Sequence, residues 1–234
     1  MTALKMLVVE DSASLQVFYR DLLDDPRLEK RFSQTVANSA EAAMTTISME
    51  TPDIVLLDWI LPGSDGMTVL DAIRSNLKTR GAMVFVISCL SSQEREAQAL
   101  RLGADDFLAK PFDREMLVSR LLTLAHKLEP ESRIEERIRL DELELEMPAG
   151  QLWIGVRRVD LHHKEAELLR LLLKRPDVVH SPEQLWSAAW GYPCRDFGSK
   201  LEIAVSSLKE KLGACWGSRL ERIGEKGYVL NRPV

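Results

Sequence analysis

The chain has few cysteines and no long apolar run, and each shortage excludes a class of protein. Its 234 residues include only three cysteines, Cys89, Cys194 and Cys215, an odd number without metal-site spacing. This argues against a disulfide framework, and we expect Cys89, after an apolar run, to be a small core residue. No stretch approaches the roughly 20 apolar residues that span a bilayer. The sequence starts with a strand-like segment rather than a signal peptide, so we expect a cytoplasmic protein without membrane contact.

Charge is unevenly distributed between the two halves of the chain. Residues 1–132 contain 14 Lys and Arg against 20 Asp and Glu, whereas the remaining residues contain 17 against 16. The acidic first half suits a cation-binding site. The second half is close to neutral, which is unusual for a nucleic-acid-binding surface. No P-loop or kinase motif occurs, so the sequence does not favour an enzyme of those classes.

Polar side chains follow four apolar runs of the first half. Such runs, bounded by turn residues, are typical of buried strands. The sites of open α/β sheets lie at the carboxyl ends of their strands. In chain order, the residues that follow the four runs are Glu10 and Asp11, then Asp58, then Ser88, and then Lys110.

Together these residues indicate a chemistry that none of them indicates alone. An Asp after a strand is commonly a turn residue, and Glu10 with Asp11 could simply open a helix. Clustered carboxylates, however, repel each other unless a cation relieves them, and an all-oxygen site suits Mg²⁺. Carboxylates also accept phosphoryl groups. A phosphoryl group on Asp58 would be neutralised by Mg²⁺ and by Lys110, with Ser88 donating a hydrogen bond to it.

At these residues the chain resembles bacterial two-component response regulators of the OmpR/PhoB type. The resemblance implies that Asp58 is the phosphoacceptor and that Mg²⁺ is its cofactor. The implied magnesium ligands are Glu10, Asp11, Asp58 and the carbonyl of Ile60. It further implies that Ser88, Lys110 and Phe107 respond to the phosphate, and that Pro111 follows a cis peptide bond.

Strand and helix patterns alternate through residues 1–127, which predicts a phosphoacceptor (receiver) domain. Five βα units imply a doubly wound, flavodoxin-like parallel sheet with helices on both faces. Asn38 and Ser91, each with a Glu three residues on, predict helix caps, as does Asp113; Gly103 predicts a helix end. Residues 128–137 are polar and contain proline, which is typical of a linker.

Residues 138–234 change character. Alternating apolar and polar residues predict an antiparallel meander over 138–161, followed by a helix at 165–173. Ser181 and Pro182 begin a second helix, residues 200–212 form a third, and a hairpin over 222–230 ends the pattern. This is the order of a winged helix-turn-helix, and Trp186 and Trp190, four residues apart, are expected to pack in its core.

The resemblance extends here through Trp190-Gly191-Tyr192 and Gly227-Tyr228. It implies that the 200–212 helix enters a DNA major groove while the wing touches the backbone. The chain departs from the family at Ala204, where an arginine is usual, and at Gly224 in the wing. The remaining candidate DNA contacts are Ser199, Lys200, Ser206, Ser207, Lys209, Lys211, Arg222 and Lys226.

The resemblance also implies partners. A sensor histidine kinase would supply the phosphate, and the loop bounded by Gly191 and Gly198 would touch RNA polymerase. The exposed candidates in that loop are Tyr192, Arg195 and Phe197, with packing on the domain as the alternative. Two phosphorylated receivers would pair through the fourth helix, fifth strand and fifth helix after Phe107 moves inward. Of the usual cross-subunit ion pairs, only that between Asp106 and Arg120 survives in this sequence.

Three functions compete on these grounds. The first is a phosphorylation-controlled, DNA-binding transcription regulator. The second is an interaction protein whose receiver switches but whose winged helix has lost specific DNA binding. The third is a phosphatase with Asp58 as its nucleophile; that class usually has a second acid two positions on, where this chain has Ile60, so it ranks last.

Overall fold

Two compact units make up the protein, Met1–Leu128 and Glu129–Val234. A computed structural model describes residues 3–89, 92–128, 136–147, 149–194 and 197–233. Most of the predicted linker, residues 129–135, therefore lies outside the described residues. Within the described ranges, no helix combines the length and the apolar character needed to cross a membrane.

A five-stranded parallel sheet forms the centre of the N-terminal unit, as predicted. Its order is β2-β1-β3-β4-β5. The chain adds β2 on one side of β1 and then β3, β4 and β5 on the other side, which places helices on both faces of the sheet. The strands are β1 (Leu4–Val9), β2 (Phe32–Ala37), β3 (Ile54–Asp58), β4 (Met83–Ser88) and β5 (Asp106–Ala109).

The helices of this unit cover two apolar layers. Alternate residues of each central strand point to opposite layers, for example Leu56 to one and Leu57 to the other. Both faces are buried, which explains why these strands are continuous apolar runs. The helices are α1 (Ala13–Leu22), α2 (Ala40–Met49), α3 (Gly66–Ser75), α4 (Gln93–Arg101) and α5 (Arg114–Leu128).

The predicted helix ends are partly confirmed. Asp113 accepts a hydrogen bond from the Glu115 backbone, and Gly103 ends the α4 segment with a φ of 97°. The α2 cap is Ser39 rather than the predicted Asn38, because the Ser39 side chain accepts from the backbone N–H of Ala42. Ser91 lies outside the described residues, and the cap observed for α4 is Ser92. Cys89 is exposed, so its expected place in the core was wrong.

The C-terminal unit begins with an antiparallel sheet of order β9-β8-β7-β6 and ends with a hairpin of β10 and β11. Both confirm the predicted strand pattern. The strands are β6 (Glu136–Leu140), β7 (Leu143–Met147), β8 (Gln151–Ile154), β9 (Arg157–Asp160), β10 (Leu220–Arg222) and β11 (Tyr228–Leu230).

Three helices share the core of this unit: α6 (His163–Lys174), α7 (Pro182–Ala189) and α8 (Phe197–Gly217). The rings of Trp186 and Trp190 stack at 4.3 Å within the core, as expected. Gly213, with a φ of 78° and a ψ of 179°, breaks the α8 segment, so its long helix ends at Leu212, as predicted, and a short second helical stretch follows. The helix starts at Phe197, earlier than the predicted Lys200.

Candidate functional site

The three predicted acidic residues of the N-terminal unit converge at one edge of the sheet. Strands β1 and β3 are neighbours, with Val9 opposite Leu57, so the residues that end them are brought together. One carboxylate oxygen from each of Glu10, Asp11 and Asp58 lies within 4.8 Å of the others. Glu10 and Asp58 are buried, whereas Asp11 is exposed.

Lys110 partly neutralises this acidic group. Its ammonium lies 2.7 Å from Glu10 Oε2 and 2.6 Å from Asp58 Oδ2, and its backbone N–H donates to the Ser88 carbonyl. Burial raises the pKa of Glu10, an effect that Lys110 opposes. Burial alone would lower the pKa of Lys110, but the bonds to Asp58 and Glu10 outweigh it and raise that pKa. The lysine therefore stays charged at neutral pH.

The backbone around Asp58 fixes the other carboxylate oxygen. Asp58 Oδ1 accepts a hydrogen bond of 2.9 Å from the N–H of Ile60. Residue 66 is a glycine because a Cβ there would lie 2.2 Å from the Asp58 carbonyl oxygen. The sequence does not reveal this role of Gly66, because a close backbone approach leaves no periodic signal. The peptide bond between Lys110 and Pro111 is cis, as predicted.

The donor set fits a hard divalent cation. The three carboxylates present oxygen atoms, the ligands that Mg²⁺ prefers, and two of these carboxylates are buried. Lys110 offsets only part of their charge. Residues that could hold a metal are therefore present at the sheet edge in the predicted combination.

Ser88 is the last residue of β4, and Phe107 is the second residue of β5. Both are buried, so the predicted inward movement of Phe107 does not start from an exposed ring. Its ring meets Trp59 edge-on at 6.4 Å, and the guanidinium of Arg95 lies 5.7 Å above the Trp59 ring. This link from the residue after Asp58 to α4 was not predicted.

Tyr19 of α1 is a second unpredicted neighbour of the site. Burial raises its pKa, and the charges of Glu10 and Asp58 raise it further. Its ring stacks on Phe112, directly after the cis proline, at 6.4 Å. The proximity of Tyr19 to the carboxylates depends on tertiary packing, which the sequence does not show.

The predicted dimer contact between Asp106 and Arg120 is corrected by the structure. Arg120 Nη1 is bonded to Asp106 Oδ2 within the same chain, and both side chains are buried. The pair therefore joins β5 to α5 inside one protomer and is not available as a cross-subunit contact.

Three of the eight predicted DNA contacts are not freely presented. Lys200 is only 7% exposed, which corrects its placement on the DNA-facing surface. The Ser207 hydroxyl donates to Glu165 Oε1 at 2.7 Å, and Lys211 Nζ lies 2.6 Å from Glu165 Oε2. Glu165, near the start of α6, therefore ties α8 to the rest of the unit.

The other predicted contacts lie at the surface of α8 and the wing. Arg222 forms an ion pair with Glu202, at 2.5 Å. In the described part of the chain, the remaining four have no recorded side-chain partner, and they are exposed or half-buried. These four are Ser199, Ser206, Lys209 and Lys226.

The predicted RNA polymerase loop is only partly exposed. Tyr192 is buried, and its carbonyl accepts a hydrogen bond from the Trp186 indole, so for this residue packing on the domain holds rather than exposure. Phe197 is half-buried, begins α8 and packs 5.4 Å from the Trp186 ring. Arg195 lies outside the described residues.

Two family models match the chain. Residues 6–122, half of the sequence, match the response regulator receiver domain, and residues 156–230 match the C-terminal domain of transcriptional regulatory proteins. The chain belongs to the response regulators. Its two domains make this response regulator a phosphorylation-controlled, DNA-binding transcription regulator that works with a histidine kinase.

Relatives place the response regulator in the OmpR/PhoB type. It is 29% identical to the phosphate regulon regulator PhoB of Klebsiella pneumoniae over 210 residues, 90% of each chain. It is also 29% identical to the response regulator MprA of Mycobacterium bovis over 230 residues, 97% of each chain. A mutant of RitR covers 99% of this chain and 100% of its own with a TM-score of 0.74; at 16% identity this supports the fold alone.

Proposed function

We propose that Asp58 receives the phosphoryl group from a phosphohistidine of a sensor histidine kinase. The observation that carries this assignment is the contact of Lys110 with both Glu10 and Asp58 in a buried acidic pocket. Asp58 is the member of the group that ends a central strand and whose two oxygens are separately held, by Lys110 and by the N–H of Ile60. A carboxylate fixed in this way is oriented for attack on phosphorus.

In the transfer, a carboxylate oxygen of Asp58 forms a bond to phosphorus. The nitrogen–phosphorus bond of the donor histidine breaks, and its electron pair stays on that nitrogen. The Lys110 ammonium then pairs with a phosphoryl oxygen, and the Ser88 hydroxyl donates to another. The position that a general acid would occupy holds Ile60, so attack of water is unassisted and loss of the phosphate is slow.

Magnesium belongs to the same proposal. The carboxylates of Glu10, Asp11 and Asp58 and the carbonyl of Ile60 would hold the ion, with Glu10 acting through a water molecule. Bound there, Mg²⁺ supplies positive charge that offsets the phosphoryl oxygens. Because Glu10 and Asp58 are buried beside each other, a cation is also what relieves their mutual repulsion.

The signal leaves the site through Ser88, Phe107 and the surface of α4, β5 and α5. We assign residues 1–128, which end with α5, to the receiver, 129–135 to the linker, and 136–234, which begin with β6, to the output domain of a cytoplasmic regulator. Receivers pair through this surface, where Leu102 and Met116 are exposed apolar side chains. Pairing raises the effective concentration of two output domains on adjacent DNA half-sites. The 191–198 loop remains the candidate contact for RNA polymerase.

Transfer of phosphate from acetyl phosphate tests the assignment. With Mg²⁺, the wild-type chain is expected to gain an acid-stable, base-labile phosphate that Asp58→Asn abolishes. Asp71→Asn is the matched control, because Asp71 is an exposed carboxylate of α3 in the same unit. Equal labelling of the wild type and Asp58→Asn, or no labelling of a folded wild type by any donor, would refute the proposal.

A further inference from the structure

An exposed ion pair joins helix α8 to the wing. Arg222 Nη1 lies 2.5 Å from Glu202 Oε1, and the side chains of these residues are 54% and 52% exposed. Arg222 Nε also donates to the carbonyl of Gly224 at 3.2 Å, and its guanidinium lies 6.0 Å from the centre of the Tyr228 ring. The arginine is therefore held by Glu202 of α8, by the carbonyl of Gly224 and by the ring of Tyr228.

Other cations on this surface are scarce. Lys200 is buried and Lys211 is bound to Glu165. Among the described residues of α8 and the wing turn, Lys209 and Lys226 are the lysines with no recorded side-chain partner. Contacts of cations with phosphates supply essentially all non-specific affinity for DNA. Whether Arg222 is engaged or released therefore changes that affinity.

We propose that Glu202 is a specificity-determining residue that withholds Arg222 from DNA phosphates. The proposal rests on the DNA binding of this response regulator. An exposed ion pair contributes little net stability, so a well-placed phosphate replaces the carboxylate as partner of Arg222. On a DNA site of the preferred sequence, the other contacts hold a phosphate close to Arg222, and that phosphate replaces Glu202 as its partner. On any other sequence no phosphate is held in that position, so Arg222 gains little affinity by leaving Glu202. Glu202 therefore keeps non-specific binding weak.

Binding of the full-length chain to a pool of short duplexes of randomised sequence tests this directly. Fluorescence anisotropy across a salt series gives both the affinity and its salt dependence. Glu202→Gln is expected to bind about two- to fivefold tighter, the range set by the strength of an exposed ion pair. Its plot of log affinity against log salt should steepen by about 0.9, the value of one added phosphate contact.

Glu221→Gln is the matched control. Glu221 is an exposed acid of β10 that accepts a hydrogen bond from the neutral Asn231, so its removal lowers negative charge without releasing a cation. The gain of Glu202→Gln should exceed that of Glu221→Gln. It should vanish when Arg222→Gln is added, with circular dichroism showing that each variant is folded.

Three results would overturn the proposal: equal gains for the two glutamine variants, a gain that persists without Arg222, or weaker binding of Glu202→Gln. The last would show that Glu202 positions Arg222 productively. Failure of the wild type and every folded variant to bind any duplex is a different result. It would remove the DNA-binding function itself, and this proposal with it.

Discussion

The two units of the protein use ion pairs of similar length in opposite surroundings. In the N-terminal unit, Lys110 lies 2.6–2.7 Å from two buried carboxylates. In the C-terminal unit, Arg222 lies 2.5 Å from Glu202 with both side chains half exposed. Distance alone therefore does not separate the two kinds of site. Burial does, because a charge removed from water depends on its partner, whereas water replaces the partner of an exposed charge.

This difference matches what each unit has to do. A buried carboxylate that gains a phosphoryl group changes charge where water cannot screen it, so its neighbours must rearrange. An exposed pair, such as that between Arg222 and Glu202, exchanges partners at small cost. The first arrangement suits a switch and the second suits a reversible contact with a polyanion.

The largest expected effect comes from breaking a buried ion pair, with the loss of an exposed ion pair as the comparison. Arg120→Met leaves Asp106 buried without its cation, so we expect a loss of about 3–5 kcal/mol in the stability of the N-terminal unit. Arg139→Met, which removes an exposed partner of Glu144 from the output sheet, should cause no resolvable change. Hydrogen exchange of peptides from β5 and β7, read by mass spectrometry, separates the two units. Normal protection of β5 in Arg120→Met would show that the pair is dispensable to the monomer fold.

Replacement of Lys110 tests the chemistry of the buried group. Lys110→Gln removes the ammonium that would meet the phosphoryl group, so phosphorylation by acetyl phosphate at saturating Mg²⁺ should slow about a hundredfold or more. Lys78→Gln, which removes an exposed lysine of the same unit, should leave the rate unchanged. A Lys110→Gln rate within twofold of the wild type would mean that the lysine has no part in the transfer.

Gly66 offers a smaller test of how tightly the site is built. A methyl group at residue 66 would meet the Asp58 carbonyl at 2.2 Å, so Gly66→Ala should destabilise the unit by about 1–3 kcal/mol and slow phosphorylation. Gly81→Ala is the control, because a Cβ there meets nothing within 4 Å. Equal urea midpoints and equal labelling rates for the two variants would contradict the close approach.

The smallest effect comes from an ion-pair cluster in the same N-terminal unit, in which Arg27 and Glu115 are exposed and Asp25 is buried. Arg27 lies 2.8 Å from both Asp25 and Glu115, and its hydrogen bonds lower the pKa of each carboxyl. A lowered pKa adds stability above the unfolded-state pKa that is lost as pH falls through the folded-state value. Arg27→Gln should therefore be slightly less stable than the wild type at neutral pH, with the difference shrinking in acid. Urea unfolding at neutral and at acidic pH measures the difference in stability between the variant and the wild type. A difference that grows in acid would contradict the pairing.

Much of the fold follows from the sequence because its signals are local. Continuous apolar runs gave the parallel strands, alternation gave the output sheet, and the Ser181–Pro182 pair gave the start of α7. Polar residues at strand ends gave the candidate site, since parallel strands bring their carboxyl ends to one edge. Helix bounds were predicted unevenly: the break at Gly213 confirms the predicted end at Leu212, whereas α8 starts at Phe197 rather than at Lys200.

What the sequence did not predict depends on tertiary distance. Periodicity assigns Arg120 to a helix face but does not show that Asp106 of the same chain is within reach. Likewise, a lysine at the start of α8 gives no sign that it is buried, and Trp59 gives no sign that Arg95 covers it. The close approach of Gly66 to Asp58 involves only backbone atoms, for which residue type is a weak signal.

The central claim is that Asp58, and no other carboxylate, carries the phosphate. Borohydride reduction of the phosphorylated chain, followed by peptide mass spectrometry, converts an aspartyl phosphate to homoserine and locates it. The account predicts homoserine at position 58 in the wild type and at no position in Asp58→Asn. Homoserine at position 11 or at any other aspartate, with none at 58, would contradict it.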